Sequence, residues 1–397
     1  MWNQALLKEE VEDFLRKNLQ KDLPSLLLKG SPFPEISIQE LGTQLNGLQI
    51  ARKKFPELFQ TSGILYPPKL NLEQTSSEVT AKYKAELVSG KNAIDMTGGM
   101  GIDSYFLSKQ FQQFDYCEIN SELAQLAAHN FKTLQTPIEV HTENGLHFLA
   151  ETAEIYDWIY TDPARRDEHG GKVFRFSDCT PDIPANLELL FQRTNNILIK
   201  SSPMMDISAG IKELDSVAEV HIVAVENEVK ELLWILHKNF SGKPKIKTIN
   251  FEKKAVQSFE ASSSEVWEME FSAPQTYLFE PNAAIQKSGL FEELAHQTQT
   301  KKLHPNSHIF TSEDIIDFPG RKFQIIDSMV FNNNDLKKKL KGVKANVTTR
   351  NFPESVENIR KKFKIKEGGK TYLFFTTGPG EQKLVIFCEK LNDDLKN

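Results

Sequence analysis

Residues Ala93-Ile-Asp-Met-Thr-Gly-Gly-Met-Gly-Ile-Asp103 decide the reading of this 397-residue chain. A short apolar run, suited to a buried strand, passes into three closely spaced glycines and then into a helix-forming stretch. Gly98, Gly99 and Gly101 allow unusual backbone conformations and a close ligand approach that side chains would block. A glycine loop alone says little. A second apolar run, Phe114–Glu118, ends in a carboxylate 17 positions after Gly101, where Glu118 can accept hydrogen bonds from both hydroxyls of a ribose. Both features suit an adenosine-containing ligand at the carboxyl edge of a sheet.

The flanking residues narrow that ligand. Dinucleotide-binding turns prefer G-x-G-x-x-G, whereas Asp95, Thr97 and Asp103 surround these glycines. The two carboxylates would repel a pyrophosphate and attract an amino acid bearing an ammonium or sulfonium group. That favours S-adenosylmethionine. Outward from the loop, strands are expected at Ala93–Met96, Phe114–Glu118, Ile138–His141, Trp158–Thr161, Ile197–Lys200 and Glu219–Val225. Helices are expected near Asp103–Lys109, Ser121–Leu134, Gly145–Glu151, Asn186–Gln192 and Asp206–Leu214. Such alternation predicts an α/β fold with a parallel sheet covered on both faces, closed by Ile246–Phe251 and Val266–Phe271. The third strand leads to Thr142-Glu143-Asn144, suited to the adenine edge, and the fourth to Thr161-Asp162-Pro163-Ala164-Arg165-Arg166.

Ordered this way, residues 75–271 resemble the class I S-adenosylmethionine-dependent methyltransferases, which implies a Rossmann-like sheet. The resemblance carries Asp95, Gly98, Gly99 and Gly101 onto the motif lining the methionine moiety, and Glu118 onto the ribose acid. It lays Ile119 against the adenine, with Glu143 and Asn144 near its polar edge, and includes Thr97 and Asp103 in the cofactor loop. Asp162-Pro163 is similar to the start of the (N/D)PP(Y/F) motif of amino-group methyltransferases, whose acid and following carbonyl hold an exocyclic NH2. Ala164 replaces the second proline, and Arg165 stands where an aromatic would stack on a base. Adding Asp162-Pro-Ala-Arg-Arg-Asp167 and Ala345-Asn-Val-Thr-Thr-Arg-Asn-Phe-Pro353, the chain resembles a prokaryotic methyltransferase family with a THUMP-like C-terminal domain. That implies RNA as the substrate class, because THUMP-type domains bind RNA.

Composition agrees with several domains. Apolar residues make up 39 %, too many for a disordered chain, and no run is long enough to span a membrane. Four parts are expected: a helical segment over 1–74, the cofactor domain over 75–271, a connecting α+β segment over 272–320, and a small α+β domain over 321–397. The net charge of −6 hides a split, since residues 321–397 carry 17 Lys+Arg against 9 Asp+Glu and the remainder is strongly acidic. Lys337-Lys-Lys-Leu-Lys341 and Arg360-Lys-Lys-Phe-Lys364 read as an RNA-backbone surface, represented by Lys338, Lys361 and the nearby Arg350, or as plain solvated helix faces. Arg165 and Arg166 read as substrate contacts or as surface charge. The segment Glu168–Phe176, with Lys172 and Phe174, reads as a lid that orders on substrate or as a hairpin insertion.

Cys117, Cys179 and Cys388 lie far apart and form no metal-binding pattern, so neither disulfides nor a metal site is expected. Met1–Asp13 lacks the apolar core of a signal peptide, and a cytoplasmic location follows as an expectation, without a membrane partner. The leading expectation is an RNA methyltransferase that moves a methyl group to a base nitrogen by direct SN2 transfer, using Asp162 and the Pro163 carbonyl to hold the acceptor. Two alternatives stand beside it: a methyltransferase for a small molecule or protein, and a non-catalytic RNA-binding module on the same fold.

Overall fold

A computed structural model describes residues 2–21, 30–165, 175–262 and 267–391. The chain divides into two compact units, Met1–Glu219 with Leu232–Gly242, and Val220–Glu231 with Lys243–Asn397. Both units mix helices and strands.

The strands of the first unit are β1 (Asn92–Asp95), β2 (Gln113–Cys117), β3 (Ile138–His141) and β4 (Trp158–Thr161). They continue with the short β5 (Ala164–Arg165) and β6 (Cys179–Thr180), then β7 (Asn196–Ser201). β1 pairs in parallel with β2 and β4, β2 with β3, and β4 with β7, giving the order β3-β2-β1-β4-β7. The chain therefore starts in the middle of the sheet, winds to one side, and then crosses to the other. A crevice opens at the carboxyl ends of β1 and β4, where the direction of winding changes. Central strands are buried almost throughout, as in β7, because helices cover both faces of such a sheet.

The boundary between units passes through β8 (Val217–Val225) and β9 (Glu228–His237). β9 is absent from the sequence-based expectation, although Glu226 and Asn227, with φ of 49° and 62°, make the tight reversal that precedes it. Leu232–His237 of β9 lie antiparallel to β7.

The N-terminal helices brace the sheet. Leu41, Leu45, Phe55, Leu58 and Leu72 share one apolar core with Tyr105, Phe106, Tyr116 and Phe131. The Asn130 amide bonds both main-chain groups of Leu65 at 2.9 Å, and Gln44 does the same for Tyr66. The helix Glu78–Glu86 starts at a Ser77 cap, whose side chain accepts from Thr80 N. The usual apolar-inward pattern fails in it: Val79 is exposed while Thr80, Ala81 and Lys84 are buried. A buried lysine inverts the pattern because its partner, Asp103, comes from another helix.

The second unit begins its remaining strands with β10 (Lys245–Phe251) and β11 (Val256–Ser262), an antiparallel hairpin. The sequence places the second closing strand at Val266–Phe271. The structure corrects this: Phe271 makes one isolated bridge to Lys302, and β11 pairs with β10 instead. β11 alternates exposed polar residues with the buried Phe259 and Ala261, too weak an apolar signal to stand out. The strands β12 (Tyr277–Pro281), β13 (Lys301–Lys302), β14 (Phe310–Ser312), β15 (Gly320–Val330), β16 (Lys344–Arg350), β17 (Lys366–Thr377) and β18 (Lys383–Lys390) form a seven-stranded sheet. Its order is β13-β14-β12-β15-β18-β17-β16. Residues 277–312, read from sequence as part of a connecting segment, thus contribute three strands to the same sheet as the basic region. No helix among the described residues is long and apolar enough to cross a membrane.

Candidate active site

A cleft of about 650 Å³ lies at the β1/β4 crevice, a size suited to a small organic ligand. Its walls include all ten residues expected to hold a cofactor (Asp95, Thr97, Gly98, Gly99, Gly101, Asp103, Glu118, Ile119, Glu143 and Asn144) together with Asp162. Glu118 is clamped before any ligand arrives: Gly99 N donates to its Oε2 at 2.9 Å and Asn120 N to its Oε1 at 2.7 Å. The Tyr116 hydroxyl donates to Gly99 O at 2.5 Å, and Gly98 N donates to Cys117 O at 2.9 Å. The loop is therefore bolted to the end of β2. Gly101, at φ 82°, starts the helix Ile102–Ser108 in a left-handed conformation, and a Cβ there would lie 2.5 Å from the Phe131 ring.

Ile119 is 72 % exposed, an apolar plate at the rim of the cleft. Beyond it, Asn144 spends its side-chain oxygen capping the helix Gly145–Glu151, accepting from Leu146 N and His147 N. Only its amide nitrogen stays available for a ligand edge.

Asp95 is buried, accepting from Thr97 N at 2.9 Å and from the Ser104 hydroxyl at 2.6 Å. Burial raises its pKa to about 7 despite those two hydrogen bonds. In that window the folded protein keeps a proton on Asp95 that the unfolded chain has lost, so this group's contribution to stability falls as pH rises from about 4 to about 7. Urea midpoints across this range should decline more steeply for the wild type than for Asp95→Asn; parallel slopes would contradict the assignment.

The Asp162 side of the cleft brings together residues that sequence reading missed. Lys200, at the end of β7, places its ammonium on Asp162 Oδ2 and lies 4.0 Å from Asp103. Asp103 also receives the Lys84 ammonium at 3.2 Å and the hydroxyls of Ser76 and Tyr160, each at 2.8 Å. Burial opposes its charge, but Lys84 and Lys200 hold its carboxyl below the ordinary range. Both hydroxyls bond Asp103 Oδ2, while the buried Oδ1 faces the Lys84 ammonium without a hydrogen bond. Thr97 has a similar double use: its hydroxyl accepts from Asp162 N at 2.7 Å, tying the loop after β1 to the acid after β4. Pro163 is buried beside it. The one sequence signal for Lys200 is its place near the carboxyl end of a strand-like run, which does not show that its side chain is buried on Asp162.

β5 and β6 pair Ala164 with Thr180 and Arg165 with Cys179, so the ends of the intervening segment meet. The side chain of Arg165, and Arg166, Lys172 and Phe174 entirely, lie outside the described residues, as does most of the expected lid. Phe176 is buried against Trp234. Elsewhere in this unit, Asp115, Glu139 and His141 form a metal-type group among the described residues, although none was expected. His141 Nε2 lies 2.8 Å from Asp115, whose second oxygen accepts from the Tyr156 hydroxyl.

In the second unit Lys338 and Lys361 are exposed on the helices Asn333–Lys339 and Val356–Phe363. Arg350, expected as part of the RNA-backbone surface, is half-buried. It pairs with the buried Glu280 at 2.6 Å, and Arg321 binds the other oxygen of the same carboxylate. A buried carboxylate draws in both guanidinium groups, which spacing along the chain does not reveal.

The winding of the sheet and the clamped loop define an α/β protein of methyltransferase type. A candidate methyltransferase from Porphyromonas gingivalis W83 is 31 % identical over 99 % of this chain and 100 % of its own, with a TM-score of 0.88. Family models match residues 320–390 as a THUMP domain-like module and residues 277–319 as a ferredoxin-like domain. The chain belongs to the class I S-adenosylmethionine-dependent methyltransferases that carry a THUMP-like C-terminal domain. More distant solved structures include a Streptococcus mutans candidate methyltransferase in complex with SAH, 14 % identical over 40 % of this chain and 96 % of its own. Another is the Pyrococcus abyssi tRNA (uracil-54, C5)-methyltransferase in complex with S-adenosyl-L-homocysteine, 20 % identical over 41 % of this chain and 39 % of its own. Both have TM-scores of 0.30, which leaves the Porphyromonas structure to carry the assignment. No curated protein matches the chain.

Proposed function

We propose that the protein is a cytoplasmic RNA methyltransferase that uses S-adenosylmethionine and modifies a base nitrogen. The observation that carries this reading is the shared cleft: the Glu118-clamped glycine loop forms one wall and Asp162 stands on the acceptor side. The residues fit the cofactor. Glu118 suits the ribose, Ile119 the adenine face, and the buried Asp95 a cationic amino-acid end, while the bound cofactor would supply the methyl group. Asp162 and the Pro163 carbonyl then hold the acceptor for in-line transfer. An unpaired base turned out of its stack fits such a cleft. RNA is favoured by the THUMP-like match and by exposed lysines 337, 338, 341, 361 and 364 in the basic 321–397 stretch.

The test combines transfer and binding. Purified protein is incubated with methyl-labelled S-adenosylmethionine and RNA from cells lacking the gene, and the digested nucleosides are identified by mass spectrometry. A base-methylated nucleoside is the expected product. Label only in metabolites or proteins would favour the alternative enzyme class, and cofactor binding without label in any acceptor a non-catalytic module. In calorimetry, Glu118→Ala should weaken cofactor binding by about tenfold or more, the scale of a lost charged hydrogen bond. Unchanged affinity would remove Glu118 from the site.

A further inference from the structure

We propose that Lys200 is a positioning residue of the acceptor site, holding one oxygen of Asp162 so that the other alone meets the group to be methylated. This rests on the role given to Asp162 above. Lys200 is about nine-tenths buried and its ammonium sits on Asp162 Oδ2. The charges alternate from the interior to the cleft as Lys84, Asp103, Lys200 and Asp162. Lys84 is fully buried, and the Asp103 side chain is 11 % exposed; that of Asp162, at 36 %, is the most open of the four. Asp103 and Lys200 also reach the cleft wall, but Asp162 is the most open of the four and the one best placed to receive a ligand.

Two restraints act on that carboxylate. Its main chain is held by Asp162 N donating to the Thr97 hydroxyl, and its Oδ2 by Lys200. Rotation of the carboxylate would break its charged bond to the nearly buried Lys200 ammonium, so the bond keeps Oδ1 in one position. An acceptor NH2 has two hydrogens to place. Asp162 Oδ1 takes one and the Pro163 carbonyl the other, which turns the nitrogen lone pair toward the methyl donor. In the transfer the nitrogen lone pair forms the bond to the methyl carbon as the donor's carbon–sulfur bond breaks, its electron pair staying on sulfur, which leaves as a neutral thioether; the nitrogen then gives up one proton, which Asp162 Oδ1 is placed to accept. Lys200 touches neither partner in this scheme and acts through Asp162.

A double-mutant cycle tests the inference on full-length protein, using RNA labelling under steady-state conditions. Lys200→Met should lower kcat by about tenfold or more, with little change in KM for S-adenosylmethionine. Adding the same change to Asp162→Asn should have almost no further effect, and Lys200→Arg should recover part of the rate. Equal losses from Lys200→Met in both backgrounds, or a loss that tracks cofactor affinity and thermal midpoint, would show a structural role and overturn the proposal. Absence of RNA label with wild-type protein has a different meaning: the functional reading itself fails, and the inference falls with it.

Discussion

Gly98→Ala is expected to lose cofactor binding and to lower the stability of the first unit by about 1–3 kcal/mol, the usual range for overfilling a packed site. An added Cβ would fall well inside contact distance of three atoms of the Tyr116 ring. That ring has nowhere to go. It is fully buried, packs edge-on to Phe131, and its hydroxyl holds Gly99 O. Accommodating the methyl group must move either the ring or the loop, and each movement breaks the clamp that presents Glu118. Thermal unfolding and calorimetry with S-adenosylmethionine measure the two losses. Gly99→Ala is the control, because a Cβ there meets little except Thr97 O at 3.9 Å and bears mainly the cost of its φ of 57°. If the two substitutions behave alike, crowding against Tyr116 is not the constraint.

Lys84→Met should be more damaging, destabilising the protein by about 3–5 kcal/mol, because it leaves the carboxylate of Asp103 charged and without its interior partner. Lys200 remains 4.0 Å away and softens the loss only in part. The pH dependence has a definite sign. Asp103 has a lowered pKa in the folded protein, so its contribution is present above the unfolded carboxylate value and disappears as pH falls through the folded one. The deficit of Lys84→Met should therefore be largest near neutrality and shrink toward about pH 4, where the stranded carboxylate protonates. Pairing it with Asp103→Asn should recover much of the loss at neutral pH. Chemical denaturation of the single and double variants measures this, and a deficit independent of both pH and Asp103 would show that Lys84 matters only for packing.

The glycine-loop half of the cleft was legible because its signals are local. Strand, turn and helix follow one another from Ala93 to Asp103, and the acids at the ends of β2 and β4 need only a count along the chain. The Asp162 half was legible in part. Asp162 stands in a recognisable tetrapeptide, but Lys84 and Lys200 are single lysines whose sequence neighbours say nothing of their burial. Arg350 shows the opposite case, a residue inside a conspicuous basic region whose guanidinium turns to Glu280. β9 and β11 were missed for a related reason: pairing comes from partners across the sheet, and their own apolar patterns did not declare it.

Backbone conformation and hydrophobic period act over a few residues, so the order of letters was enough for the α/β class, the glycine loop, the position of Glu118 and the charge split near residue 321. Partner choice acts through space. Whether a charged side chain faces water, a ligand or another charge depends on groups brought from distant parts of the chain, and on the desolvation they share. That is why only the folded molecule decided that Asp103 answers to two lysines, that Thr97 ties the two loops together, and that Asp162 meets the cleft with one oxygen already taken.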